Sequence, residues 1–381
     1  MTTATTLPKY QQIFDTLRAA ILDGEYGPGE KLPTEAVLVK QFKTSRITVG
    51  KAVRELQREG LVHRQAGSGT FVSEAATDAR HLSFGLLIPD FGQTEIFNPI
   101  CHGMASAPHS DGHSLIWCHS ENTDEPGQKH QEALRVCRQL IERKVDGVFF
   151  APFEQVDTDG AVNREITSLL DKARIPVVLL DRDISSYPSR SRYDLVGIDN
   201  RRVGFAVTDH LLSLGRKRIV FLTYREGVYS IGERINGYRE AVSARGLPAD
   251  SIRVEHLPAE NEEATRVIKS LLESFRPDAF VCVNDRTAGG LMHHLLSSGV
   301  RIPEDVAVVG IDDVAYANLL PVRLTTMHQP CGEIGRTAVA AMLERIRNPG
   351  MTARTLLLDC HLVIRKSCGA ESRSPHLRAA F

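Results

Sequence analysis

The chain has 381 residues, of which 42% are hydrophobic and 24% are charged, and its formal net charge is -1. Domains usually hold roughly 100–200 residues, so this length is too great for one ordinary core and predicts two or three units. A near-neutral charge excludes a polycation, and any surface that binds nucleic acid must therefore be local.

The sequence shows no targeting segment and no long apolar span. Residues 1–9 lack an apolar core of signal-peptide length, and no stretch reaches the ~20 apolar residues of a membrane span. The seven cysteines are scattered without C-x-x-C spacing, which predicts thiols rather than disulfides or a zinc site. We therefore expect a cytoplasmic protein.

The N-terminal residues predict three short helices. The first covers residues 10–22, where apolar side chains recur at helical spacing, and a glycine-rich stretch ends it. The second begins at Thr34 as a possible N-cap, with Glu35 in its first turn. A tight turn at residues 43–45 leads to a third helix over residues 45–59, with basic residues outside its apolar stripe. Two helices joined by such a turn form a helix-turn-helix.

A glycine-tipped hairpin follows the third helix. Residues 61–64 and 70–72 read as strands, and residues 65–69 form the turn between them. In a helix-turn-helix the second helix enters the major groove with its N-terminal residues nearest the bases. The alternative is a small helical domain whose charges are merely solvated. We expect DNA contacts from the starts of the two helices and from the wing: Thr34, Glu35, Thr44, Ser45, Arg46, Thr48, Lys51, Arg64, Gly67, Ser68 and Gly69.

Residues 8–73 resemble the winged helix-turn-helix domain of the GntR family. The matching stretches are GEKLPTE at 29–35, TSRITV at 44–49, LQREGLV at 56–62 and GSGTFV at 67–72. Two positions depart from the family pattern: Gly50 stands where an arginine is usual, and Ala36 where a basic residue is common. The resemblance implies binding to double-stranded DNA, and Gly50 implies that one familiar contact is missing.

A polar linker at residues 74–81 separates this head from a repeated strand-and-helix pattern. Runs rich in Val, Ile and Leu that alternate with helices predict parallel sheets covered on both faces, here in two doubly wound α/β lobes. The predicted strands are 84–90, 114–119, 147–152, 177–182, 196–200, 219–224, 280–285 and 306–312. The predicted helices include 132–143, 201–214, 231–245, 262–275 and 287–298.

Several predicted strands end in an aspartate. In open α/β sheets ligands bind at the carboxyl ends of the strands, so these acids could line a cleft. Each of them could equally be the N-cap of the next helix, and Asp199-Asn200 is expected to be structural, at a crossover between lobes. The strand-end acids are Asp90, Asp181, Asp199, Asp285 and Asp312.

Catalytic motifs are absent from the sequence. No phosphate-binding glycine loop, dinucleotide fingerprint, nucleophile elbow or H-E-x-x-H pair occurs. His293 and His294 are adjacent, so on a helix they do not share a face and make a poor metal site. We therefore expect neither enzyme activity, nor a cofactor, nor a bound metal.

Residues 82–368 resemble the effector-binding domain of the LacI/GalR family, which is related to periplasmic sugar-binding proteins. The supporting stretches are FGLLIPD at 84–90, DGV at 146–148, PVVLLDR at 176–182, VGIDN at 196–200, RINGY at 234–238, NDRTA at 284–288, GVRIPEDV at 299–306, GIDD at 310–313 and LTT at 324–326. A GntR-type head on such a body is similar to the arabinose-repressor family.

This resemblance implies a sugar or similar polyol in the cleft. Arginine forks, carboxylates and amides suit hydroxyl groups, and an aromatic ring can stack on a sugar face. The expected anchors are Arg182, Arg234 and Asp285 with Phe97 as the stacking ring, then Glu95, Asp181, Ser230 and Asn284. Tyr224 and Tyr316 could line the cleft or pack in the core.

The resemblance also implies a ligand-controlled repressor. The sugar would either release the operator, which is the commoner case in this family, or act as a corepressor, and the sequence leaves both open. Ligand would close the lobes, and a homodimer would change the spacing of its heads on a pseudo-palindromic operator. The rival interpretation is a solute receptor without a DNA role. Residues 369–381 are expected to form a loose tail.

Overall fold

The computed structural model describes residues 8–22, 24–65, 67–73, 81–88, 95–107, 113–118, 126–153, 160–185, 188–224, 229–258 and 260–370. Linker residues 74–80, the predicted strand ends at Asp90 and His119, and tail residues 371–381 lie outside these ranges. The N-terminal head and the larger C-terminal part are described separately.

The head contains the three predicted helices, α1 (Lys9–Leu22), α2 (Glu35–Gln41) and α3 (Arg46–Arg58). Helix α3 buries one apolar stripe, and α1 packs its own stripe against it. The joint core excludes water from Ile13, Leu17, Ile21, Leu38, Val49, Ala52, Val53, Leu56, Leu61, Val62 and Val72. Burying this much apolar surface is the main stabilising term for so small a unit.

The predicted wing is present as β1 (Val62–Gln65) and β2 (Gly69–Val72), which pair antiparallel with Val62 opposite Val72. Strand β2 is also bridged on its other side, where Lys31 pairs with Phe71. The wing is therefore tied to the loop before α2 as well as to α3.

The larger part alternates strands and helices. Its strands are β3 (Ser83–Leu87), β4 (Ser114–Trp117), β5 (Gly147–Phe150), β6 (Val177–Leu180), β7 (Asp194–Ile198), β8 (Ile219–Thr223), β9 (Arg253–His256), β10 (Ala279–Cys282), β11 (Ala307–Asp312), β12 (Thr325–His328), β13 (Thr355–Leu358) and β14 (His361–Val363). Its helices are α4 (Phe97–Ala105), α5 (Pro126–Glu142), α6 (Ala161–Lys172), α7 (Asn200–Ser213), α8 (Tyr229–Ala244), α9 (Asn261–Ser274), α10 (Asp285–Ser297) and α11 (Cys331–Arg347).

Two six-stranded sheets organise these elements into two lobes. The first lobe has the strand order β13-β7-β6-β5-β3-β4, and the second has β14-β12-β11-β10-β8-β9. The strand pairings within the second sheet are parallel except for β12 with β14. The central strands are buried on both faces, which explains their continuous apolar runs. The predicted α/β architecture of two doubly wound lobes is confirmed.

The chain crosses between the lobes three times: from β7 into α7, from β12 into α11, and from β13 into β14. At the first crossing Asp199 is the N-cap of α7, because its Oδ1 accepts a hydrogen bond of 2.9 Å from the Arg202 amide. The expected structural role of Asp199 is thus confirmed.

The predicted strand over residues 280–285 is wrong at its end. Strand β10 stops at Cys282, and Asp285 is the first residue of α10 rather than a strand end. The side chain of Asn284 accepts the Thr287 amide hydrogen bond at 2.9 Å and caps the helix. Seven elements of the larger part were not named individually from the sequence: α4, α6, α11, β9, β12, β13 and β14.

Helices α7 and α8 pack closely because glycines line their contact. A Cβ atom added to Gly237 would lie 1.9 Å from the carbonyl oxygen of Arg201, and one added to Gly204 would lie 2.0 Å from that of Arg234. Both clashes are with backbone, which cannot rotate away. The separation between the two helices therefore requires residues without a side chain.

We predict that Gly237→Ala lowers the free energy of unfolding by about 1–3 kcal/mol, since the helices must move apart. Gly232→Ala is the control on the same helix: nothing lies within 4 Å of its added Cβ, so it should be neutral or stabilise by up to ~1 kcal/mol. Thermal unfolding midpoints of both variants measure this. Equal midpoints for the two variants would contradict the packing argument.

Candidate functional site

The N-terminal turn of α3 is fixed by two residues that the sequence predicts to contact DNA. Ser45 is its N-cap: the Ser45 Oγ accepts a 3.2 Å hydrogen bond from the Thr48 amide and lies 2.8 Å from the Thr48 Oγ1. Thr44 lies just before this cap and is half-buried. The helix therefore starts at a defined point, which a base-reading helix requires.

Glu35 holds two arginines on one face of the head. Its Oε1 accepts a 2.7 Å hydrogen bond from the Arg64 Nη2, and its Oε2 lies 3.4 Å from the Arg46 Nε. Arg46 comes from the first turn of α3, and Arg64 comes from the wing strand β1. The carboxylate thus links α2, the recognition helix and the wing. Its position between two cations suits an organising role better than a direct phosphate contact.

The sequence predicts Thr34 as the N-cap of α2 and Lys51 as a DNA contact, and the structure adds detail at both positions. Thr34 occupies the N-cap position of α2 with an extended backbone, but its side chain makes no capping hydrogen bond. The Lys51 Nζ lies 3.6 Å from the ring centroid of Tyr10 on α1, which orients the ammonium by a cation–π contact. Both side chains are exposed.

The wing tip depends on glycine conformations. Gly67 and Gly69 have φ values of +74° and +133°, which residues with a side chain rarely adopt. The Ser68 amide donates a 3.0 Å hydrogen bond to the Gln65 carbonyl and closes the turn. A Cβ on Gly69 would also lie 2.7 Å from the Lys31 Cε.

In the larger part, Asp285 is fully buried at the start of α10. Its Oδ1 accepts a 2.5 Å hydrogen bond from the Thr326 hydroxyl, and its Oδ2 accepts one of 3.0 Å from the Val314 amide. Burial, and after it the neighbouring Asp312, raise the pKa of this carboxyl to about 8 against the lowering effect of those two donors. Asp285 is therefore held largely as a neutral acid at pH 7.

Asp312 and Asp313 end β11 and lie beside Asp285. Both have positive φ values, +122° and +55°, a strained backbone that is typical of functional sites when the surroundings enforce it. Asp312 accepts a 2.6 Å hydrogen bond from the Gln329 amide group. Burial raises the pKa of Asp312 to about 7, although Arg234 lowers it.

Arg234, close to Asp312, and Arg182, beside Asp181, are both buried and both have protein partners. The Arg234 Nε donates to the Asn200 Oδ1 at 2.8 Å, and its Nη1 donates to the Val283 carbonyl at 2.6 Å. Its Nη2 lies 4.0 Å from the Asp312 Oδ1. Arg182 forms a two-point pair with Asp181, at 2.9 Å and 2.8 Å. Asp181 also has a positive φ, +68°.

The remaining expected ligand residues differ in exposure and in their contacts. Glu95 is exposed and hydrogen-bonds the side chain of Tyr316, whose pKa is raised by burial and by that carboxylate. Phe97, the first residue of α4, is 3% exposed, and Ser230 is 6% exposed near the start of α8. Asn284 uses its side-chain oxygen to cap α10.

Electrostatic contacts show which groups are neighbours. Asp312 of the second lobe interacts with Asp181 and Glu95 of the first, and with Arg234 of its own lobe. The sequence predicted Asp312 as a strand-end acid that could line the cleft and Tyr316 as a cleft or core aromatic. It did not single out Asp313, Thr326 or Gln329, which interact with Asp285 or Asp312. Asp312, Asp313 and Thr326 lie in the stretches GIDD at 310–313 and LTT at 324–326, which the family resemblance had already singled out. The resulting set of acids, arginines and hydroxyls can donate to and accept from a polyhydroxylated ligand.

Metal chemistry finds no support among the described residues, which contain no group of three His, Cys, Asp or Glu side chains placed to hold an ion. All seven cysteines are free thiols. Within the same residues, no helix is both long and apolar enough for a membrane crossing.

Comparison with known proteins agrees with both parts. Residues 9–72 match the gntR family of bacterial regulatory proteins, and residues 208–368 match a periplasmic binding protein-like domain. The arabinose metabolism transcriptional repressor of Geobacillus stearothermophilus is 29% identical over 358 residues, which cover 90% of this chain and 92% of the relative. The chain contains a gntR-type helix-turn-helix domain and a periplasmic-binding-protein-like domain.

Two further proteins are similar to most of this chain. The HTH-type transcriptional repressor PurR of Aliivibrio fischeri is 29% identical over 282 residues, covering 72% of this chain and 79% of the relative. A LacI family transcriptional regulator from Enterococcus faecium, solved with bound ribose, has a TM-score of 0.62 at 25% identity, covering 75% of this chain and 98% of that one. The curated relatives are repressors, which favours a binding protein over an enzyme.

The raised pKa of Asp285 predicts a pH-dependent stability for the regulator. The folded chain retains a proton at Asp285 that the unfolded chain loses near pH 4, so stability falls as the pH rises towards 8. We expect this group to lower the free energy of unfolding by on the order of 2–4 kcal/mol between pH 5 and pH 8.

Asp285→Asn should flatten that dependence, measured as urea unfolding midpoints at the two pH values. Asp305→Asn is the control, because the pKa of Asp305 is lowered to about 2 by its hydrogen bonds from Arg301 and lies below the range tested. An unchanged slope in Asp285→Asn would refute the proton assignment.

Proposed function

We propose that the protein is a sugar-responsive repressor that binds operator DNA through its head and a pentose in its larger part. The observation that carries the DNA role is the convergence of Arg46 and Arg64 on Glu35, which presents the recognition helix and the wing on one face. The similarity to an arabinose repressor over 90% of the chain supports joining this head to a sugar sensor.

On the DNA side, the roles follow from position. Arg46, in the first turn of α3, reads a base edge, since arginine to guanine is the commonest specific contact in the major groove. Arg64 and the backbone amides of the wing tip contact phosphates, and Lys51 adds a cation beside the helix. Glu35 positions the two arginines.

On the ligand side, the anchors are Arg182, Arg234 and Asp285, with Phe97 as the ring that covers a sugar face. Asp181, Glu95, Ser230 and Asn284 complete the set, and Asp312 and Tyr316 join it. The pentose class is suggested by two relatives: one is named for arabinose metabolism, and one was solved with ribose. Protonated and ionised carboxyl groups beside arginines can donate to and accept from the adjacent hydroxyl groups of a pentose.

The switch is a closure of the two lobes about the three crossings. A pentose shifts this equilibrium only if it binds the closed and open forms with different affinity. In a homodimer the movement changes the spacing of two heads on a pseudo-palindromic operator. Such a regulator works beside its operator, in the cytoplasm of a bacterial cell.

Base reading by Arg46 can be tested by substitution. Arg46→Ala should raise the Kd for a selected duplex by roughly 5–150-fold, because a good base contact contributes about 1–3 kcal/mol of discrimination. Arg58→Ala is the matched control, since both side chains are 81% exposed on α3 but Arg58 lies at its C-terminal end. Mobility shifts on duplexes selected from a random pool measure both. Equal losses of affinity in the two variants would show that Arg46 does not read a base.

The role of Asp285 in binding the effector can be tested in the same way. Asp285→Ala should require at least about ten-fold more sugar to change operator binding, because a buried hydrogen-bonding anchor is lost, while binding to DNA without sugar stays unchanged. Arabinose, ribose, xylose and glucose are titrated against the mobility shift. Asp305→Ala is the exposed control.

If Asp285→Ala does not fold, Arg182→Ala tests the same cleft. A normal sugar response in the folded cleft variants would overturn the ligand assignment. A wild-type protein that binds sugar but prefers no duplex would instead be a solute receptor, and the repressor proposal would fail.

A further inference from the structure

Ile47 is an unusual residue in the first turn of α3. Its side chain is 81% exposed, the largest exposed fraction among the large hydrophobic residues that the structure describes. It is the second residue of the helix, between Arg46 and Thr48. Scattered exposed apolar residues are ordinary on protein surfaces, so the argument depends on this position and not on exposure alone.

Packing within the head does not account for Ile47. The buried stripe of α3 consists of Val49, Ala52, Val53 and Leu56 with the backbone of Gly50, and Ile47 contributes nothing to the head core. A β-branched residue is also a poorer helix former than a straight polar chain. Neither helix propensity nor core stability favours isoleucine at this site.

Gly50, the departure from the family pattern, lies one turn after Ile47. A Cβ atom added there would meet only the Arg54 Nη1 at 3.8 Å and the Glu35 Oε1 at 4.0 Å. Gly50 is buried in the head and adds no side chain to this face. Ile47 is therefore the apolar side chain that the first turn of α3 exposes, next to Arg46.

We propose that Ile47 is a specificity-determining residue that contacts the C5-methyl group of a thymine in each operator half-site. Thymine carries the only methyl group in the major groove, and apolar side chains recognise it. This inference rests on the proposed function, because it requires α3 to lie in the major groove.

The experiment removes the methyl group from the DNA instead of changing the protein fold. A duplex selected from a random pool by the wild-type protein is remade with uracil in place of each thymine in turn. Wild type should lose roughly three- to five-fold in affinity at the contacted position, the value expected for one buried methyl group. Substitution of the other thymines should have little effect.

The protein variants then test whether Ile47 senses that methyl group. Ile47→Ala should bind the thymine duplex more weakly and bind the uracil duplex with the same affinity as the thymine duplex. Ile47→Val should keep part of the preference. Val37→Ala is the control: Val37 is 50% exposed on α2, and its loss should leave the thymine-to-uracil ratio intact.

The outcomes separate this inference from the proposed function. If wild type prefers the selected duplex and Arg46→Ala weakens it, but no uracil substitution matters, Ile47 does not read a methyl group. An Ile47→Ala variant that keeps the full thymine preference overturns the inference in the same way. If wild type selects no duplex at all, the failure belongs to the proposed function.

Discussion

The cleft depends on the burial of carboxyl groups that water would otherwise solvate. Asp285 is completely buried, and the Asp312 side chain is 9% exposed. Burial of a charge costs several kcal/mol, so such groups either keep a proton or need donors. Thr326, Val314, Gln329 and Arg234 supply those donors. The site thus stores a cost that a ligand with suitable hydroxyls can offset.

The same donors connect the cleft to the hinge. Arg234 donates to Asn200, the first residue of α7, where the chain first crosses between the lobes. Asp312 accepts from Gln329, which lies in the second crossing between β12 and α11. In the closure that we propose, a ligand that displaces or strengthens these hydrogen bonds would act directly on the segments that bend. This connection gives lobe closure a physical basis beyond proximity.

The sequence predicted both parts of the protein but only some of the contacts in its sites. Strongly periodic or continuous apolar segments, such as α3 and β6, were visible, as were Arg46, Arg64 and Asp285. The partnership of Glu35 with Arg46 and Arg64 was not, because these residues lie 11 and 29 positions apart. Asp285 was placed on a strand because Phe280 to Val283 continues as an apolar run, and only the Asn284 cap ends it.

Glu35 would also affect the ratio of specific to non-specific DNA affinity of the head. Phosphate attraction supplies nearly all non-specific binding, and it grows with each uncompensated cation. A carboxylate between Arg46 and Arg64 offsets part of that attraction while it fixes both guanidinium groups in place. Specific binding loses less than non-specific binding, because an oriented arginine pays less conformational entropy when it meets its base. An acid in the middle of a DNA-binding face therefore increases the ratio of specific to non-specific affinity, the quantity on which a repressor depends.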